Sequence, residues 1–144
     1  MTMHKGIVCL LLATGASAGL ASGAAPGSYL GTYSSWGRAC KGEAVIRTKT
    51  AAWRSAWSQC ESSPYEVLNV AKPGELRRLV LKLKKRSKSC LYEIIEVEER
   101  EAGGVWSLSG YASMAAYDHR DDPEWRYSDR PDRFILSCPL DGRP

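Results

Sequence analysis

The sequence predicts an all-β protein, an antiparallel meander of about seven or eight strands that closes into a small barrel stapled by two disulfides. Apolar and polar residues alternate with a period of two between Gly- and Pro-containing turn signals. A meander of this kind avoids exposed sheet edges by closing on itself. Four cysteines follow an N-terminal export signal, and an even count in an exported chain indicates disulfides.

The N-terminal segment predicts export. Lys5 precedes a short apolar stretch at residues 6–13, and Ala16-Ser17-Ala18 is a small-residue cleavage site. The apolar stretch is shorter than the ~20 residues that a membrane-spanning helix needs. We therefore expect a secreted or periplasmic protein with a signal peptide at 1–18, a flexible lead-in at 19–28 and a single β-barrel domain at 29–144.

The first half of the domain contains three predicted strands. Residues 29–36 are rich in aromatic, Thr and Ser side chains, and residues 44–50 alternate in side-chain character. Residues 65–70 precede the turn signal Lys72-Pro73-Gly74. Residues 50–59 could hold a short helix.

The second half contains four predicted strands, at residues 76–85, 91–99, 105–114 and 133–138. In the first of them Leu79, Leu81 and Leu83 lie on one face, which is the face expected to point into the core. Residues 117–131 hold five Asp or Glu, two Pro and three Arg, and this composition predicts a long polar loop.

The segment Leu30-Gly31-Thr32-Tyr33 resembles the start of the first strand of lipocalins and related small barrels, where Gly-x-Trp, Gly-Thr-Trp or Gly-Thr-Tyr occurs. Tyr33 stands where lipocalins have Trp, and the later lipocalin motifs are not evident. The chain is also similar to small uncharacterised four-cysteine bacterial periplasmic proteins. These resemblances imply a lipocalin-like barrel and bring no activity with them.

Strand parity predicts the disulfide pairs. If successive strands run up and down, Cys40 and Cys138 lie at one end of the barrel, and Cys60 and Cys90 lie at the other. Bridged Cα atoms lie within ~7 Å of each other, so the expected pairs are Cys40–Cys138 and Cys60–Cys90. An additional strand in residues 51–57 would break this count, and the sequence by itself leaves three connectivities open. Zinc is the rival explanation, but gaps of 19, 29 and 47 residues do not match the close Cys pairs of zinc sites.

Enzyme signatures are scarce, and we expect a binding protein rather than an enzyme. His119 is the only histidine after the signal peptide, and it lies among aspartates in the predicted polar loop. Nucleophile-elbow, His-Glu-x-x-His and phosphate-loop patterns are absent. The net charge of +4 does not by itself drive binding to nucleic acid or membranes. We expect a monomer with no cofactor, no metal and no membrane span.

A basic run at residues 82–88 is followed by an acidic segment, and the two strands can pair. Pairing Lys84 with Cys90 places Arg78 opposite Glu96. In that register Glu93 shares a face with the inward-pointing Ile95, where it could be the polar anchor of an apolar pocket. A bulge at residues 94–95 would instead turn Glu93 outward, because an unpaired carboxylate in an apolar interior is costly.

The segment Trp53-Arg54-Ser55-Ala56-Trp57 brings two tryptophans around an arginine, which are the residue types that dominate interface hot spots. We expect an exported binding protein that takes a small apolar ligand inside the barrel, or a protein or glycan at this Trp-rich rim. The alternative is a secreted inhibitor or envelope-stress protein that blocks another enzyme through an exposed loop. The expected ligand-binding residues are Glu93, Trp53, Arg54, Trp57 and Trp106.

The two expected binding sites, inside the barrel and at its rim, require different barrel interiors. A cavity lined by Trp106, Leu108 and Leu81 would favour ligand transport. A filled barrel with an exposed Trp loop would favour a protein partner.

Overall fold

Eight antiparallel strands form a single meander in the computed structural model, which describes residues 25–141. The strands are β1 (Gly31–Ser35), β2 (Gly42–Ile46), β3 (Thr50–Arg54), β4 (Gln59–Val70), β5 (Arg78–Leu83), β6 (Ile94–Glu99), β7 (Trp106–Tyr111) and β8 (Ile135–Pro139). Ser35 of β1 bridges Leu140, just past β8, so the sheet is a nearly closed barrel. The predicted fold class is confirmed, and the predicted signal peptide lies outside the described residues.

The chain just before β1 packs against the barrel. Ala25 is buried, and its amide donates a hydrogen bond to the Tyr65 hydroxyl at 3.0 Å. A 3₁₀ turn at Gly27–Tyr29 follows and buries the Tyr29 ring. The described part of the predicted lead-in is therefore attached to the domain.

The barrel interior is filled with large side chains. Trp53, Trp106, Leu81 and Leu108 are each at most 1% exposed, and the Trp53 ring stacks on Tyr92 with 4.6 Å between ring centroids. Eight strands enclose a space that side chains can just fill. The residues expected to line a ligand cavity thus pack against one another.

Gly110 of β7 shows how tight this packing is. A Cβ atom at Gly110 would lie 2.6 Å from both the Trp53 and the Tyr92 rings. We expect Gly110→Ala to lower the free energy of unfolding by about 1–3 kcal/mol, because overpacking forces rings and backbone to shift. Urea denaturation measures the loss. Gly27→Ala is the control, since nothing lies within 4 Å of its Cβ position. Equal stability of the two variants would contradict tight packing at Gly110.

Both predicted disulfides are confirmed, with Cα–Cα distances of 5.5 Å for Cys40–Cys138 and 4.4 Å for Cys60–Cys90. The strand count behind the prediction is wrong, because β3 is the additional strand that was named as the alternative to a short helix. Cys138 still reaches Cys40 because barrel strands are staggered. Leu140 pairs with Ser35 at the end of β1, so Cys138 lies beyond that end, beside the loop that carries Cys40.

The register between β5 and β6 differs from the predicted one by two residues. Arg78 pairs with Glu98 rather than Glu96, and Leu81 pairs with Ile95. A shift of two residues keeps every side chain on its face, whereas a shift of one would have turned the strand inside out. The alternation of apolar and polar residues therefore identified the two faces of these strands, but the predicted cross-strand residue pairs were wrong.

Residues 112–134, here called the cover segment, pack on the outer face of the sheet. They contain α1 (Met114–Asp118) and α2 (Pro123–Arg126), which are capped by the Ser113 hydroxyl and the Asp122 carboxylate. Side chains of the sheet and of the cover segment form a second buried cluster of Val80, Ile94, Tyr111 and Ala116. The predicted polar loop is thus a packed element. Between residues 25 and 141 no helix has the length and apolar character to cross a membrane.

Candidate functional site

The structure separates the tryptophans that the sequence grouped into one site. Trp53 is fully buried inside the barrel, whereas Arg54 is exposed and Trp57 is 65% exposed. Because successive residues of a strand point to opposite faces, Trp53 and Arg54 cannot share a binding surface. Of the two predicted tryptophans in this segment, only Trp57 is accessible to a partner.

Trp106 is also part of the core rather than a binding residue. Its side chain is 1% exposed, the Tyr29 ring meets it edge-on at 6.5 Å, and the Arg77 guanidinium lies 4.5 Å from its ring centroid. The ring therefore seals one end of the interior beneath a cation–π contact.

Glu93 lies outside the barrel. Its carboxylate is 3.2 Å from the Lys82 ammonium, and both side chains are partly exposed. Alternation breaks just after it, because Tyr92 and Ile95 both belong to the interior cluster. Of the two orientations left open by the sequence, the outward one is correct, and Glu93 cannot anchor a ligand inside the barrel.

Three loops that leave β1, β3 and β5 emerge at the same end of the barrel, because alternate strands of a meander run in the same direction. Large apolar side chains are exposed there: Trp36 is 57% exposed, Trp57 65% and Leu91 41%. Residues 36–41 and 84–93 add six basic side chains and one acidic side chain. These basic residues are Arg38, Lys41, Lys84, Lys85, Arg86 and Lys88.

Two of these loops are held together covalently and by hydrogen bonds. The disulfide joins Cys60, at the start of β4 just after the first loop, to Cys90 in the second. The Leu91 amide donates to the Ser58 hydroxyl at 2.9 Å, and the Gln59 amide donates to the Ser89 carbonyl at 2.9 Å. We call Trp57, Lys88 and Leu91 the tryptophan rim. The disulfide and these hydrogen bonds restrain the two loops. Binding of a partner to the tryptophan rim therefore costs little loop conformational entropy.

A second candidate site lies beneath the cover segment. Outer-face residues of four adjacent strands are direct partners across the sheet: Val80, Glu96, Ser109 and Ser137. Above them is a cavity of about 160 Å³ that the cover segment partly roofs with Arg120, Asp121 and Arg126. We call it the Glu96 pocket.

Glu96 is the most unusual side chain of this pocket, because it carries an ionisable carboxyl group and is only 2% exposed. The Tyr111 hydroxyl donates to its Oε1 atom at 3.1 Å, while Oε2 has no hydrogen-bond partner among the described residues. Burial raises the pKa of Glu96, the neighbouring Glu98 raises it further, and the hydrogen bond from Tyr111 opposes them. Arg120 and Arg78 also lower it, and the net result is a pKa above the ordinary value of a glutamate.

Sequence reasoning missed the Glu96 pocket for an identifiable reason. Alternation did place Glu96 away from the interior, but nothing local shows that a distant segment covers it. The available signal was a glutamate flanked by Ile95 and Val97 in a strand whose outer face also carries Ile94. An outer face with apolar residues indicates that something packs on it.

The acidic part of the cover segment shows no sign of a metal centre. The His119 ring stacks on Trp125 at 4.5 Å, and its Nδ1 atom is 3.9 Å from the Asp122 carboxylate. Across residues 25–141 no group of three His, Cys, Asp or Glu side chains is placed to hold a metal ion. The contacts of His119 in the described structure are thus with Trp125 and Asp122.

Comparison of the chain with protein-family models, characterised proteins and solved structures finds no significant match in any of the three.

Proposed function

We propose that this protein is an exported binding protein that docks an acidic surface of another extracytoplasmic protein through its tryptophan rim. The observation that carries the proposal is Trp57, a large aromatic side chain that is 65% exposed on a loop that leads directly into the disulfide-bonded start of β4. Two disulfides in one domain are typical of oxidising compartments, which supports a secreted or periplasmic location.

The packed interior supports a site on the outside of the barrel. A small apolar ligand would have to displace Trp53, Trp106 and their neighbours, which already fill the space. The rim instead presents its apolar groups outward, where burial against a partner gains about 25 cal/mol per Å². We therefore favour the rim over the interior as the binding site.

The shape and charge of the rim favour a protein partner. Trp57 protrudes from a loop, and a protruding tryptophan fills a pocket on the other surface, as hot-spot residues do. The nearby basic residues Lys85, Arg86 and Lys88 are exposed, and they complement an acidic patch. This arrangement also suits the alternative role, in which the protein is an inhibitor that blocks an enzyme through an exposed loop.

Trp57→Ala is expected to weaken partner binding by about thirtyfold, because truncating a hot-spot tryptophan costs ~2 kcal/mol or more. The experiment compares extracytoplasmic proteins retained by immobilised wild type and by the variant, followed by affinity measurement on each retained protein. Tyr127→Ala is the matched control, since Tyr127 is 84% exposed but lies on the cover segment. Lys88→Glu should also weaken binding and reduce its salt sensitivity.

Three results would count against this function. A partner retained equally by wild type and Trp57→Ala would place the interface elsewhere. Retention lost in Tyr127→Ala but not in Trp57→Ala would assign it to the cover segment. Salt-sensitive binding of an acidic glycan at the rim, with no protein retained, would correct the class of the partner.

A further inference from the structure

The Glu96 pocket has the three features that a ligand site requires, independently of the tryptophan rim. It has a defined volume, a buried polar group without a partner, and charges of one sign in excess. Buried polar atoms in proteins are almost always hydrogen-bonded, and each exception calls for an explanation. Glu96 Oε2 is such an exception among the described residues.

The charged side chains around the cavity indicate which charge its ligand carries. Arginines from the sheet and from the cover segment line it, namely Arg78, Arg100, Arg120 and Arg126. Arg100 is paired with Glu98 at 3.2 Å, which leaves the other three facing Asp121 and Glu96. The excess of guanidinium groups attracts an anion, and a guanidinium binds a carboxylate through two parallel hydrogen bonds.

Contacts within the cover segment hold the guanidinium of Arg120, and Arg78 is placed by its strand. Arg120 donates to the Tyr117 carbonyl at 2.9 Å, and its guanidinium lies 4.3 Å from the Tyr117 ring centroid. Arg78 projects from the outer face of β5 beside Val80. A side chain that is already held, as Arg120 is, loses little conformational entropy when a ligand binds.

The volume of the cavity and its remaining lining residues further restrict the size and chemistry of the ligand. An engineered protein cavity of about 150 Å³ holds benzene, so about 160 Å³ admits a molecule of that size class. Ile135 and the Tyr111 ring supply the apolar part of the wall. The hydroxyls of Ser109 and Ser137 lie 2.9 Å apart on the floor.

We propose that the Glu96 pocket binds a small aliphatic carboxylate. One carboxylate oxygen of the ligand and Glu96 Oε2 share one proton in a hydrogen bond, and the arginines of the cover segment bind the rest of the charge. The short aliphatic part lies against Ile135 and Tyr111. This assignment gives the unpartnered oxygen a hydrogen bond and the excess arginines a counter-charge.

The test is a titration of the oxidised, purified protein with propionate. The backbone amide chemical shifts are measured by NMR at each concentration. We expect saturable shifts confined to β6, β7, β8 and the cover segment. Arg126→Gln should weaken propionate binding by about tenfold or more, because hydrogen bonds to charged groups are the strong ones. Lys84→Gln removes the same charge far from the pocket and should bind as the wild type does.

Glu96→Gln separates a ligand role from a purely structural one. The amide of this variant would keep an N–H donor at the position of the acid proton but cannot ionise, so propionate affinity should be at least that of the wild type. A folded Glu96→Gln protein that has lost binding would overturn the proposed hydrogen bond. Equal weakening by Arg126→Gln and Lys84→Gln would reduce the effect to diffuse electrostatics, which also overturns the site. Absence of saturable propionate binding, or binding of inorganic phosphate but not propionate, would refute the carboxylate assignment.

Discussion

Replacing both Cys40 and Cys138 by alanine should lower the melting temperature by roughly 15–20 °C, the largest effect that we expect from any change of the described residues. The disulfide closes a loop with a sequence separation of 98. Freeing a loop of that length increases the entropy of the unfolded chain, which corresponds to about 4–5 kcal/mol in the chain-entropy model. A domain of this size loses about 4 °C for each kcal/mol. Calorimetry of the oxidised variant measures the shift.

The second disulfide provides an internal comparison. Cys60–Cys90 spans a sequence separation of 30, so its removal should cost about 3.5 kcal/mol, less than removal of Cys40–Cys138. A melting temperature that hardly changes in the Cys40/Cys138 variant would show that the Ser35–Leu140 contact closes the barrel without the disulfide. A larger loss from Cys60–Cys90 would mean that strain or local packing outweighs loop length.

Trp53→Ala should reduce the free energy of unfolding by about 3–5 kcal/mol, the cost of truncating a fully buried large aromatic residue. The change empties the centre of the barrel and removes the stacking partner of Tyr92. Trp57→Ala, four residues away, should stay within about 0.5 kcal/mol of the wild type, because an exposed side chain makes few contacts to lose. Urea denaturation of the two variants side by side measures the contrast.

The same pair of variants tests the separation of core and rim. Trp53→Ala should leave the affinity for the proposed partner unchanged under conditions where the variant is folded, while Trp57→Ala should reduce it. A Trp53→Ala protein of normal stability and weakened binding would restore the prediction from the sequence that both tryptophans form one surface. Loss of stability in both variants would instead place Trp57 in the core.

Local alternation was enough to identify the fold class and the faces of most strands. Leu79, Leu81 and Leu83 were expected to share the core face, and all three are buried in the interior cluster. Strand faces are readable because side chains of a pleated strand point alternately to its two sides. The cysteine count and spacing likewise indicated disulfides, since zinc sites need closer pairs.

Local alternation could not identify the partners of a strand or its exact register. The β5–β6 pairing was displaced by two residues, because a shift of two leaves the pattern of faces unchanged. For residues 50–59 the sequence left a short helix and an additional strand open, although Ala51 and Trp53 point inward with the period of a strand. The small residues beside Trp53 make that alternation weak in the sequence.

The candidate sites depended still more on tertiary structure. Trp53 and Trp57 are neighbours along the chain, but the strand ends between them, so one fills the core and the other faces solvent. Arg120 and Glu96 are distant along the chain, and only packing of the cover segment on the sheet brings them to one cavity.

By itself, the sequence determined a disulfide-stapled antiparallel barrel, because alternation and cysteine spacing are properties of the chain. Tertiary structure alone decided that the interior is filled, that Glu93 faces outward and that Glu96 is covered. The physical reason is that alternation assigns a side chain to a face of its own strand, whereas burial depends on what packs against that face. For Glu96 that element is the cover segment, which begins more than a dozen residues later along the chain.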